Sequence, residues 1–224
     1  AILIAGLSVN LVLSPISASS ATLPKAPRAS ESPDLQLRLP FHVQALPYGT
    51  NSLPKLGLAI WGVMPNVLSD DNNTSGLFVA GPMISYDQRG SWVELMGGAK
   101  VNDDKYIDPF MNVRFLDRTF SRVNVGGDFE YFPQREQQRI YSIVYADTPI
   151  SIGKQTWRIG VESENVVNFV QGKANSYGGG PRLQYILPIK SDHWSATITT
   201  SYQVRSDRDF VRIYIGVTWK PFGK

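Results

Sequence analysis

Few residues of this chain can do covalent or metal chemistry. It has 224 residues, two histidines, His42 and His193, and no cysteine. The one nucleophilic arrangement is His193-Trp194-Ser195. Residues two apart on an extended strand point to the same side, so His193 could take the Ser195 proton while Asp192 or Asp207 orients the ring. The tripeptide also reads as an ordinary polar strand start, and the flanking residues add nothing a hydrolase would need. Two histidines without cysteine are too few donors for a four-ligand zinc site. Asp70-Asp71-Asn72-Asn73 and Asn102-Asp103-Asp104 offer hard oxygens, but they lack EF-hand spacing and read as Asx-turns in solvent. Gly178-Gly179-Gly180-Pro181 is followed by neither helix nor lysine, so it reads as a loop-to-strand hinge and not a phosphate cradle. The expectation is a non-enzyme with no cofactor and no bound metal.

The charged residues follow a more informative pattern. Glu94, Arg114, Arg122, Asp128, Glu130, Arg158, Glu162, Glu164, Arg182 and Arg212 fall on the polar side of alternating runs, whereas Lys55, Lys105, Lys154, Lys173 and Lys190 fall in turns or at run edges. A solvated face uses lysine freely. Arginine's planar fork suits a confined space in which carboxylates must be paired by bidentate hydrogen bonds. These ten residues are therefore expected to line a narrow, polar, ion-paired lumen.

The elements that must hold them are strands. From His193 to Trp219 the chain reads as two strands joined by Arg205-Ser206-Asp207-Arg208-Asp209. One face carries Trp194, Ala196, Ile198, Thr200, Tyr202 and Val204, then Val211, Ile213, Ile215, Val217 and Trp219; the other carries Ser, Thr, Gln and Arg. A period of two held for about ten residues, with aromatics at the ends, is what a membrane-crossing strand requires. About eleven such runs follow one another from Leu35 onward, among them Trp92–Val101, Phe120–Tyr131, Arg139–Ala146, Trp194–Val204 and Phe210–Lys220, with no competing helical spacing. Short turns alternate with longer polar connections, as in small membrane barrels. The fold class expected is all-β, an antiparallel up-and-down transmembrane β-barrel. Ten strands are expected, with eight or twelve as alternatives, because such barrels have even counts and Pro40 argues against Leu35–Ala45 as a full wall strand.

Residues 1–21 are apolar and end in Ser17-Ala18-Ser19-Ser20-Ala21, which reads as a secretory signal peptide missing its start. Residues 22–34 read as a proline- and serine-rich tether, and residues 35–224 as one barrel domain. The 22 basic and 19 acidic residues are too balanced for nucleic-acid binding.

With its closing Phe210-Val211-Arg212-Ile213-Tyr214-Ile215-Gly216-Val217-Thr218-Trp219-Lys220-Pro221-Phe222, the chain resembles the small bacterial outer-membrane β-barrel proteins. The resemblance implies export to the bacterial outer membrane. It also implies contact with outer-membrane lipid and lipopolysaccharide, insertion by the barrel-assembly machinery, and action as a narrow pore for a small solute or as a structural envelope protein. A soluble periplasmic lipocalin-like barrel with an apolar ligand inside is the second reading. Outer-membrane lipid A deacylases use a pair similar to His193 and Ser195, which makes a membrane-embedded lipid hydrolase the third.

Overall fold

The computed structural model describes residues 33–46, 52–64, 76–101, 107–120, 122–206 and 208–222. The leader-like segment, nearly all of the tether and both acidic clusters, Asp70–Asn73 and Asn102–Asp104, lie outside the described residues. The wall consists of β1 (Asp34–Ala45), β2 (Lys55–Met64), β3 (Gly76–Ser85), β4 (Trp92–Val101), β5 (Ile107–Asp117), β6 (Asn124–Phe132), β7 (Arg139–Ile152), β8 (Gln155–Asn168), β9 (Ser176–Ile186), β10 (Trp194–Arg205) and β11 (Asp209–Trp219). Each strand pairs antiparallel with its neighbours in sequence, and β1 closes the barrel on β11 in parallel. Among the described residues the fold is thus all-β and up-and-down, with eleven strands.

Leu35–Ala45 belongs to the wall despite its proline. The ladder between β1 and β11 runs from Asp34↔Phe210 to Arg38↔Tyr214, lapses at Leu39 and Pro40, and resumes at Phe41↔Val217. The missing proline N–H falls in that gap, and the pairing continues on both sides of it. An odd count has a geometric consequence. Strand β1 starts at the rim where β11 also starts, and Asp34 pairs there with Arg208 at 3.2 Å. Strand β11 ends at the opposite rim, called here the turn rim because the short connections 86–91 and 153–154 lie on it.

The period of two sorts side chains between the two faces of a closed wall. One set is exposed and apolar: Leu58, Phe78, Leu95, Ile107, Val161, Val204 and their like. The other is buried and faces inward. A wall of eleven strands spaced about 4.8 Å apart and tilted about 40° is roughly 20 Å across, so long side chains from opposite sides meet. The buried set includes Glu94, Asn112, Glu164, Gln203 and Arg212, each no more than 1 % exposed. The bore is filled at these levels.

The interior is polar over only part of its circumference, a correction to the wholly polar lumen expected above. Inward residues of β2 to β6 form an apolar cluster of Ala59, Trp61, Val79, Met83, Met96, Phe110 and Phe132, with Phe110 stacked on Phe132 at 5.0 Å. Strands β2 and β3 are apolar on both faces, so alternation could not assign their inner face. Gly178, Gly179 and Gly180, read above as a hinge, lie inside β9. A Cβ on Gly180 would come within 1.7 Å of the Tyr202 carbonyl oxygen, so this close approach of β9 to β10 requires glycine.

Candidate functional site

Among the described residues, most of the ionic part of the bore lies in three clusters, and Arg139 reaches Asp108 at 3.7 Å outside them. The first is centred on Glu164 of β8. Arg212 of β11 reaches it with both guanidinium ends, one contact being 2.9 Å, and Arg205 of β10 donates to it at 3.1 Å. Arg212 also donates to Gln36 at 3.0 Å and to the Tyr214 hydroxyl at 2.9 Å, and its guanidinium lies 4.5 Å from the Phe210 ring centre. Strands β8 and β11 are three positions apart in the wall, so this cluster bridges across the bore and not merely along one ladder.

The second cluster is centred on Glu162. It accepts from Arg182 at 2.8 Å, Ser201 at 3.0 Å and Gln203 at 3.3 Å. Arg182 also faces Asp147 at 3.6 Å and lies over the Tyr145 ring at 4.0 Å, and Asn124 donates to Asp147 at 2.8 Å. The third is centred on Glu94, which meets His42 Nε2 at 2.7 Å, Gln44 Nε2 at 3.0 Å and Arg114 Nη1 at 3.3 Å. Arg114 lies over Trp61 at 4.4 Å and reaches Asp128 at 3.5 Å, joining the ionic and apolar parts of the interior. Asn112 donates to Asp128 at 2.5 Å.

Each carboxylate at a cluster centre accepts from at least two donors, which is how a buried anion offsets its desolvation. Such pairs shape and fill a bore more than they stabilise it against an apolar alternative.

Of the ten residues expected to line the lumen, the structure places Glu94, Arg114, Asp128, Glu130, Arg158, Glu162, Glu164, Arg182 and Arg212 on inward-facing strand positions. Arg122 is a correction. It is exposed in the connection before β6, which starts at Asn124, so the run read as Phe120–Tyr131 begins too early. Asp147 and Arg205 were missed because they fall just beyond the apparent run ends. His42 and Gln44 were missed because their strand was in doubt. Same-face parity would have found all four. Trp92 turns inward and lies 5.5 Å from His42.

His193 and Ser195, the hydrolase pair considered above, make no direct bond to each other; His193 Nδ1 contacts the Lys220 carbonyl at 3.0 Å. Asp207 lies outside the described residues.

At the turn rim, Asp87 accepts from the Ser91 amide at 2.7 Å and from its hydroxyl, and the Ser91 hydroxyl oxygen accepts the Arg118 amide at 2.8 Å. Burial pushes the Asp87 carboxyl upward, but the Ser91 bonds and those from the Arg89 and Gly90 amides outweigh it and hold the group below its ordinary value. No protein-family model, curated protein or solved structure matches this chain.

Proposed function

We propose that this chain is a bacterial outer-membrane β-barrel that acts as a structural envelope protein or a very narrow pore, with its bore closed by ion pairs. The observation that carries this reading is the direction of the alternation. The apolar face of nearly every strand is exposed, with Leu56, Leu58, Leu95, Ile107 and Val161 each more than half exposed, while the arginine and carboxylate face is buried. Water disfavours an apolar belt of that extent, and monomeric soluble proteins rarely expose patches above several hundred Å². A hydrocarbon surround favours it. Strands of 9 to 14 residues, tilted as barrel strands are, rise about 25–35 Å, in line with a bilayer core.

Outward aromatics near both rims support the same reading. Trp194 stacks on Trp219 at 5.8 Å and Trp157 packs on Tyr185 at 4.6 Å near the turn rim, and Tyr131 and Tyr202 lie toward the other. Amphipathic rings favour the two interfaces. The lipocalin-like alternative needs an apolar interior and a polar exterior, the reverse of this arrangement over most of the wall.

The test is membrane fractionation followed by gel electrophoresis with and without boiling. Extraction only by detergent, with a mobility shift on boiling, is the expected result. A soluble protein without a shift would overturn the reading. Reconstitution in planar bilayers then separates the two roles: a silent membrane indicates a structural barrel, and small, weakly selective steps indicate a pore.

A further inference from the structure

Charge is distributed unequally between the two rims of the barrel. At the turn rim each connection, or a strand end beside it, carries a cation: Lys55 opens β2, Arg89 lies in 86–91, Arg118 and Arg122 between β5 and β6, Lys154 between β7 and β8, Lys190 between β9 and β10, and Lys220 directly after β11. The strand order spaces these positions around the whole circumference. At the opposite rim the described cations are balanced. Arg208 pairs with Asp34 at 3.2 Å, Arg135 adjoins Glu136, and Lys173 donates to the Glu136 carbonyl at 2.8 Å.

This basic collar is open to its surround and short of acids. Arg89, Arg122, Lys154 and Lys190 are exposed, and none of the four has a carboxylate within ion-pair distance among the described residues. The described acids of these connections and strand ends are Asp87, Asp117 and Asp192. Asp87 accepts from the Ser91 amide at 2.7 Å and Asp117 from the Thr119 amide at 2.7 Å, so both are turned back onto their own turns. Arg89 donates instead to the Thr119 carbonyl at 2.5 Å, and Arg118 to the Arg89 carbonyl at 3.3 Å, which ties these two cations to each other's connections. Outward aromatics stand beside the collar. Trp194, 49 % exposed, stacks on Trp219, 40 % exposed, and Trp157 packs on Tyr185. Cations next to outward tryptophans suit a belt where hydrocarbon gives way to anionic headgroups.

We propose that the turn rim is a lipid-recognition collar, which seats in a leaflet containing anionic phospholipid and gathers headgroups of the phosphatidylglycerol class against Arg89, Arg122, Lys154 and Lys190. The guanidinium fork takes two phosphate oxygens and the lysines supply point charges, so a ring of exposed cations concentrates such headgroups without a deep pocket. Such seating rests on the membrane reading proposed above; the collar adds the lipid chemistry that this end of the barrel prefers.

The chain's own tryptophans supply the test. Trp61 and Trp92 face inward, so the three that can meet lipid, Trp157, Trp194 and Trp219, all stand at the turn rim. The full chain is reconstituted into vesicles of mixed phosphatidylcholine and phosphatidylglycerol, with one or the other brominated close to the headgroup, and quenching of tryptophan emission gives the occupancy of each lipid at that rim. Phosphatidylglycerol is expected to be favoured about two- to fivefold at low salt, the effect of one cation near an anionic surface. At about 1 M salt, where the screening length is ~3 Å, the preference should vanish, a comparison that needs only the unaltered chain. The combined variant Arg89→Gln, Arg122→Gln, Lys154→Gln and Lys190→Gln should lose most of it, whereas Arg135→Gln with Lys173→Gln at the opposite rim should keep it. The gel shift on boiling verifies each fold. Equal quenching by the two lipids at low salt, or a preference that high salt or the fourfold variant leaves intact, would overturn the collar alone. Quenching by neither lipid would overturn the membrane reading and the collar with it.

Discussion

Removing the carboxylate of Glu164 should expose how dry the bore is. Glu164 is 1 % exposed and is the anionic partner of Arg212, also 1 % exposed, and of Arg205. In Glu164→Ala, Arg212 keeps Gln36 and Tyr214 but loses the carboxylate it pairs with, and Arg205 keeps Ser176 at 2.7 and 3.0 Å. Breaking a buried pair from one side costs about 3–5 kcal/mol, because the remaining ion stays buried. With a urea slope of about 2 kcal/mol per molar, the unfolding midpoint should fall by roughly 1.5–2.5 M. Glu164→Gln should cost less, since the amide oxygen still accepts one bond. Glu164→Gln combined with Arg212→Met should recover part of the loss, since the deepest stranded charge is then gone. The assay is urea titration of the detergent-folded barrel, followed by tryptophan emission and by the boiled-gel shift. A loss below about 1 kcal/mol for Glu164→Ala would refute the reasoning, because it would mean that water already solvates these ions.

Three further outcomes follow from other parts of the wall. Leu95 is outward and 52 % exposed, so Leu95→Arg should cost about 2–4 kcal/mol in a bilayer but within about 0.5 kcal/mol if the outer face meets water; urea midpoints in lipid vesicles decide it. Gly97 and Gly98 are neighbours with opposite fates. Gly97→Ala meets nothing within 4 Å and should be neutral or slightly stabilising, whereas Gly98→Ala brings Cβ to 2.0 Å from the Phe78 carbonyl oxygen and should cost about 1–3 kcal/mol in the same titration. Asp87 has a depressed folded pKa, so its contribution is fully present above the ordinary carboxylate value and is lost as pH falls through the lower folded value. Midpoints measured from about pH 5 to pH 3 should fall in the wild type and fall less in Asp87→Asn.

The sequence by itself determined the wall. Trp92–Val101 was legible to the residue, and Trp194–Val204 and Phe210–Lys220 to within one residue at each end, because one apolar and one polar face at a period of two has few other solutions. It determined most of the inward charges for the same reason. Parity fixes which side a residue takes, but not what it meets. Only closure decided that. The parallel β1–β11 seam admits the odd count of eleven runs that the even-count rule for such barrels set aside, and brings Gln36 to Arg212 across 176 positions of sequence. The contact of Glu164 with Arg212 across three strands depends on the curvature of the whole barrel, which no local pattern records. Where both faces are apolar, as in Lys55–Met64, or where glycine removes the side chain, as in Gly178–Gly180, alternation has nothing to report. There the inner face was set by which neighbour the strand packs against.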